Sequence, residues 1–242
     1  ASSAPFPSPP PHLHRQHGAM ASGEPLTRSG RGPDGLFPKS DFEKIGLGSA
    51  NLFTVYNLFA FVFGAPGAVA AAAAIFLAPC PAVLEKVSLL RTYYMAPLYF
   101  TILVVQFAFL NINANLSMAR RPTRVNVPDQ HVYRVYGGAA DGTLVFMHDN
   151  GDLGKFNRAQ RALANFEEGL PLLILNAFAA AFVFPWAILV TLVFISIFRI
   201  KGAIGYTTAR IKRMTGNMAS NILANSIFTA NLVIGVAALV KA

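Results

Sequence analysis

The chain has 242 residues, of which 54% are hydrophobic and 13% charged, about half the charged share of an ordinary soluble domain. Its net charge of +9 comes from Lys and Arg lying between apolar stretches, not in a run, which argues against nucleic acid as a partner and for orientation in a lipid bilayer. Four stretches carry no charged side chain, between Lys44 and Glu85, Arg91 and Arg120, Glu168 and Arg199, and Arg213 and Lys241. Each exceeds the roughly 20 residues needed to cross a bilayer core. A soluble fold would have to expose them.

Residues 1–40 are rich in Pro, Ser, Gly and Arg and poor in acids, which predicts a disordered or extended arm. That composition also resembles part of an organelle transit region. Residues 41–90 are expected to hold an extra N-terminal membrane helix, beginning near Asp41–Lys44. The stretch Leu47 to Leu77 is interrupted by Pro66 and Gly67. It reads as one kinked span or as an interfacial helix followed by a short span, and the single span is preferred. A second span runs from Thr92 to Met118 and stops at Arg120-Arg121-Pro122. Asn111 and Asn115, four apart, share a face of it.

Residues 123–155 form a polar loop insertion. Two short β-prone runs, Val132 to Tyr136 and Thr143 to Met147, flank Gly137 to Gly142, the pattern of a small hairpin. Lacking a following Lys-Ser/Thr, that turn is not a phosphate loop. Helical character resumes at Phe156 and breaks only at Phe184-Pro185-Trp186. Arg158 to Phe182 and Pro185 to Lys212 would each be about 40 Å long, against about 30 Å of hydrocarbon. Both are expected to cross, with the turn at Pro185 on the far face. A last span runs from about Asn217 to Val240, with Asn217, Asn221 and Asn225 spaced by four as a packing stripe. Cys80 is the single cysteine, and no His or Cys spacing suits a metal.

The chemistry gathers where the chain doubles back. Measured from the turn, Glu168 lies level with Lys201, Asn165 with Tyr206, and Arg161 with Thr208 and Arg210. Arg158, Arg161, Asn165 and Glu168 recur at three- and four-residue steps on one face. Arg199, Tyr206, Arg210 and Arg213 do so approximately on the other helix. Two readings follow. In the structural one, Glu168 neutralises Arg199 or Lys201, and the outer arginines reach the headgroups. In the functional one, arginine forks hold a small anion beside the membrane.

The segment Arg161-Ala162-x-x-Asn165-x-x-Glu168-x-x-Pro171, at the start of a helix, resembles the signature of the MAPEG family, membrane-associated proteins in eicosanoid and glutathione metabolism. Ala119-Arg120-Arg121, Phe198-Arg199, Gly205-Tyr206 and Arg213 resemble further family positions. The resemblance covers about residues 92 to 241 and implies an all-α integral membrane protein: a MAPEG-like four-helix bundle over residues 91–242, carrying the extra N-terminal helix and the hairpin insertion. It implies a homotrimer with glutathione held between protomers by Arg161, Asn165, Glu168 and Tyr206. Arg213 would match the arginine that stabilises the glutathione thiolate in catalytic members. Gly169 and Gly202 stand where aromatic residues are common. The implied function is glutathione conjugation or reduction of lipophilic substrates. The alternative is a non-catalytic accessory subunit of a large membrane complex, in a mitochondrion, plastid or endoplasmic reticulum.

Overall fold

The computed structural model describes residues 30–32, 34–136 and 144–240. By internal contacts the chain forms two units, residues 1–36 and 37–242. Of the first, residues 1–29 of the expected arm lie outside the described residues. Its end is a bend in which the Arg31 guanidinium donates to the Gly35 carbonyl at 3.0 Å.

The second unit starts with structure where the sequence predicts the tail of the arm. Ser40, 1% exposed, caps a one-turn helix, α1 (Asp41–Lys44), in a reciprocal box with Glu43. The Asn126 side chain holds this turn, accepting from the Asp41 N–H at 2.9 Å and donating to the Lys39 carbonyl at 3.0 Å. Asp41–Lys44 is therefore a separate element and not the start of the span, because Gly46, with φ of +78°, turns the chain out of the helix. Hydrogen bonds from the Ser40 backbone and hydroxyl hold the Glu43 carboxyl below its usual 4.5. A carboxyl with a depressed folded pKa stabilises above its unfolded pKa and loses that contribution as pH falls through the folded value. The amides of α1 are thus expected to lose hydrogen-exchange protection below about pH 4.5. Ser40→Ala should cost about 1 kcal/mol and weaken that pH dependence without abolishing it, because the bond from the backbone N–H of residue 40 to Glu43 remains.

The first span is one helix, α2 (Leu52–Ala72), continued by a π turn, Ala73–Leu77, with Pro66 inside it. A further short helix, α3 (Pro81–Thr92), follows. Sequence reading merged it into the span region because its apolar residues are broken by Glu85 and Lys86. The bundle consists of α4 (Ala96–Arg120), α5 (Gly151–Ala181), α6 (Pro185–Thr208) and α7 (Arg213–Val240). Helix α6 is central, packing on α4, α5 and α7, while α2 packs on α4. Strands β1 (Tyr133–Tyr136) and β2 (Leu144–Met147) pair antiparallel, Tyr133 opposite Met147, as the loop pattern predicts. The turn at 137–143 lies outside the described residues.

Among the described residues, four helices are long and apolar enough to cross a membrane: Leu52–Leu77, Ala96–Thr123, Pro185–Thr208 and Arg210–Val240. The protein is an integral membrane protein. Helix α5 does not meet that composition, because Asp152, Lys155, Arg158, Arg161, Glu167 and Glu168 all fall between Gly151 and Glu168. Its second half joins the core, where Ala177, Ala180 and Ala181 meet Ile188, Leu192, Ile195 and Ile227. The reversal falls at Phe182–Phe184, with Pro185 at the first position of α6.

Lipid is as apolar as these side chains, so close packing and interhelical hydrogen bonds hold the bundle. Asn115, 6% exposed, donates to the Thr207 hydroxyl at 2.8 Å, joining α4 to α6. Asn231 donates to the Asn176 side-chain oxygen at 3.0 Å, joining α7 to α5. Helices α6 and α7 approach to backbone contact. A β-carbon on Gly216 would lie 2.5 Å from the Phe198 carbonyl oxygen and 2.6 Å from the Gly202 nitrogen.

Candidate functional site

The first turns of α5, the end of α6 and the start of α7 surround a polar cavity of about 300 Å³. Arg158 and Arg161 come from α5, Tyr206 from α6, Arg210 from the short 3₁₀ turn Arg210–Lys212, and Arg213 from the first position of α7. The remaining wall is Asn157 of α5 with Met147, His148 and Asp149, carried in by the hairpin.

Asn157, 3% exposed, places the hairpin there. Its side-chain oxygen accepts from the Val132 N–H at 2.9 Å, and its amide nitrogen donates to the Val132 carbonyl at 2.7 Å and the His148 carbonyl at 2.8 Å. Gly154 lets α5 start directly against the Asp149 backbone, since any β-carbon there would overlap it. Asn157→Ala should cost about 1–2 kcal/mol, because the part-buried Val132 N–H and His148 carbonyl lose their partner, while the Val132 carbonyl keeps the His148 N–H. Faster hydrogen exchange confined to β1 and β2 would report the release.

Positive charge dominates the cavity. The Arg158 side chain donates from Nε to the Tyr206 and Thr207 carbonyls, both at 3.2 Å, and from a terminal nitrogen to the Asp149 carbonyl at 2.7 Å. It is a strut that also caps α6. Arg210 faces the Asp149 carboxylate at 3.5 Å. The Arg213 guanidinium lies 5.0 Å from the centre of the Tyr206 ring, a cation–π contact that fixes both. His148 Nδ1 is buried without a partner among the described residues. Burial, and then the charge of Arg161, pull the nearby His131 below its ordinary 6.5. His131 is therefore neutral at pH 7.

The predicted residues divide. Arg161, Tyr206 and Arg213 line this one cavity. Asn165 lies in an adjoining narrow crevice that it shares with Tyr206, Arg199 and Asn217. Glu168 lines neither and pairs with Arg161 at 2.9 Å, both side chains being about half exposed. The expected ion pair of Glu168 with Arg199 or Lys201 does not form. Arg161 stands two turns before Glu168 on its own helix and captures it, while Arg199 donates to Asn221 of α7 at 3.0 Å. Lys201 is exposed and makes no ion pair among the described residues.

Gly202 has a packing role. A β-carbon there would meet the Asn217 side-chain oxygen at 2.6 Å, so a larger residue fits beside α7 at that position only if the Asn217 side chain swings away. Gly169 faces open space, and an aromatic ring is simply missing there. Sequence reading missed His148 and Asp149. The only signal was Asn157, a polar residue opening a helix that follows two β-prone runs. Arg120 and Arg121, at the basic end of α4, are engaged within the chain. Arg120 donates to the Val125 and Asp129 carbonyls at 3.1 and 2.7 Å and lies 4.8 Å from the centre of the Phe156 ring. Arg121 donates to the Ala50 carbonyl at 2.8 Å and the Leu47 carbonyl at 3.3 Å.

No curated protein matched the chain. A family model, described as the MAPEG family, matches residues 96–233. That range holds the four bundle helices from the start of α4 into the last turns of α7, together with every residue lining the polar cavity, and the chain belongs to the MAPEG family.

Proposed function

We propose that the polar cavity binds glutathione and that the protein conjugates or reduces lipophilic substrates with it at the membrane surface. The observation that carries this reading is the convergence of Arg161, Tyr206 and Arg213 on one cavity of about 300 Å³. Glutathione brings two carboxylates, one ammonium and a thiol. Arginine forks suit the carboxylates, and Asp149 is the anion facing the ammonium. Among the described residues Arg161 is held by an exposed pair with Glu168, worth about 0–1 kcal/mol, so a ligand carboxylate can displace it. Arg213 favours the thiolate, which is the attacking form. The cavity is open on one side, consistent with completion by a second copy in a homotrimer.

Glutathione should raise the apparent melting temperature of the detergent-solubilised protein, and its dimethyl ester should not. Absence of protection by glutathione at millimolar concentration removes the proposal.

One observation favours a second reading. Helices α2 and α3 lie outside the bundle and leave Phe61, Phe63 and Phe76 more than three-quarters exposed. A non-catalytic subunit of a large organellar membrane complex would offer such surface to neighbours. Migration of the native protein as a free trimer on a gel counts against it, and co-migration with a large assembly supports it.

A further inference from the structure

Helix α3 joins two membrane spans, and its place follows from theirs. Arg121, at the end of α4, donates to the Leu47 and Ala50 carbonyls just before α2, and the Tyr56 hydroxyl lies 2.7 Å from that of Ser117. Helices α2 and α4 therefore run antiparallel. The end of the first span, Leu77, and the start of the next, Ala96, lie at one membrane face. That face is opposite the polar cavity, which sits beside the Arg120 end of α4. Residues 78–80 tie α3 to the first span, and residues 93–95 tie it to the second. Its 12 residues make a rod of about 18 Å, too short to cross the hydrocarbon. Tethers this short hold it at the membrane surface.

With its bounds fixed, α3 has sides. Val83, Val87 and Leu90 recur at steps of four and three on one stripe. Glu85, Ser88 and Thr92 fall on the reverse. Lys86 and Arg91 stand about 70° to either side of the stripe's centre. Leu84 borders the stripe, and Leu89 alone of the large apolar residues lies toward the reverse. Cations on both edges of an apolar stripe suit a headgroup layer, because their stems follow the greasy side while their charges reach the phosphates. No bundle helix packs along α3. Its last corner is well defined. The Tyr94 N–H donates to the Arg91 carbonyl at 3.1 Å and the Met95 N–H to the Leu90 carbonyl at 2.8 Å, the paired bonds of a Schellman turn. Tyr94 occupies the left-handed position, with φ of +55°, where a β-carbon is strained and glycine is usual. The chain keeps a ring there in spite of that strain, beside a second exposed tyrosine, Tyr93. Aromatic rings of this kind are enriched at membrane surfaces.

We propose that α3 is a membrane-surface helix whose partner is the lipid headgroup layer of that face, with Val83, Val87 and Leu90 at the acyl boundary and Lys86 and Arg91 donating to lipid phosphates on either side. Neither the site nor its test involves glutathione. Val87→Trp and Ser88→Trp, each combined with Trp186→Phe to remove the one native indole, would be reconstituted as full chains in phosphatidylcholine vesicles. Lipid brominated near the glycerol end of its chains should quench Val87→Trp at least about threefold more than Ser88→Trp, and lipid brominated at the chain ends should quench Val87→Trp less. Adding Lys86→Glu and Arg91→Glu should reduce the quenching of Val87→Trp by about half. Equal quenching of the two indoles overturns the proposal, as does stronger quenching of Val87→Trp from the chain ends. Unchanged quenching with both glutamates in place overturns the headgroup contact. Weak quenching of both indoles assigns the stripe to water or to a second copy, and overturns the lipid. Should a Trp variant fail to fold, phosphatidylcholine carrying a diazirine near its glycerol decides on the unaltered protein: crosslinks at Val83, Val87 or Leu90 support the proposal, and their absence overturns it.

Discussion

Gly216→Leu is expected to cost about 3 kcal/mol or more and to lower the melting temperature by roughly 6–12 °C. The obstacle at Gly216 is backbone: the Phe198 carbonyl oxygen and the Gly202 nitrogen and Cα lie 2.5–2.7 Å from where the first side-chain carbon would stand. A flexible side chain could swing away, but a helix backbone can yield only by moving the whole rod. Separating α6 from α7 would also pull Arg199 from Asn221 and widen the crevice at Asn165. Gly235→Ala, in the same helix with nothing within 4 Å, is the control. It should be neutral or slightly stabilising, by up to about 1 kcal/mol. Similar losses in both variants would refute the close-packing account.

Arg213→Ala should lower the rate of glutathione transfer to a lipophilic electrophile by about 10²–10³-fold, with a much smaller effect on glutathione affinity. The reasoning is electrostatic. Arg213 opens α7, where the helix dipole already favours negative charge, and its guanidinium is pinned over the Tyr206 ring. A cation fixed there lowers the energy of a thiolate more than that of a thiol. Arg161→Ala, by contrast, should weaken binding first, because its partner is a ligand carboxylate. The pH–rate profile separates the roles: loss of Arg213 should move the acid limb toward higher pH, and loss of Arg161 should not. If Arg213→Ala leaves the rate within threefold, Arg213 does not stabilise the thiolate.

The membrane class was legible because length and charge-free composition decide it, with no need of tertiary contact. The reversal at Pro185 was equally plain, since the proline is the one break in a long apolar helical pattern. Matching α5 to α6 by distance from that turn gave height correctly but left rotation undetermined. Hence Asn165 does approach Tyr206, whereas Glu168, at the height of Lys201, points along its own helix to Arg161. The short helix Pro81–Thr92 escaped because twelve residues of mixed polarity carry too little pattern. His148 and Asp149 were beyond reach for a different reason. Their place in the cavity depends on Asn157 bonding residues up to 25 positions away, and such non-local pairing leaves no periodic trace.

The contact between Gly202 and Gly216 also settles how the polar cavity can breathe. Tyr206, Arg210 and Arg213 ride on two rods in backbone contact and form an anvil. Opposite them, His148 and Asp149 follow a two-stranded flap that Asn157 holds at its base and that Arg158 and Arg210 hold at Asp149. A molecule that displaces the flap on entering also loosens the Asp149 contacts of Arg158 and Arg210, so mutations in the strands should alter the kinetics of exchange while leaving the pairing of Tyr206 with Arg213 in place.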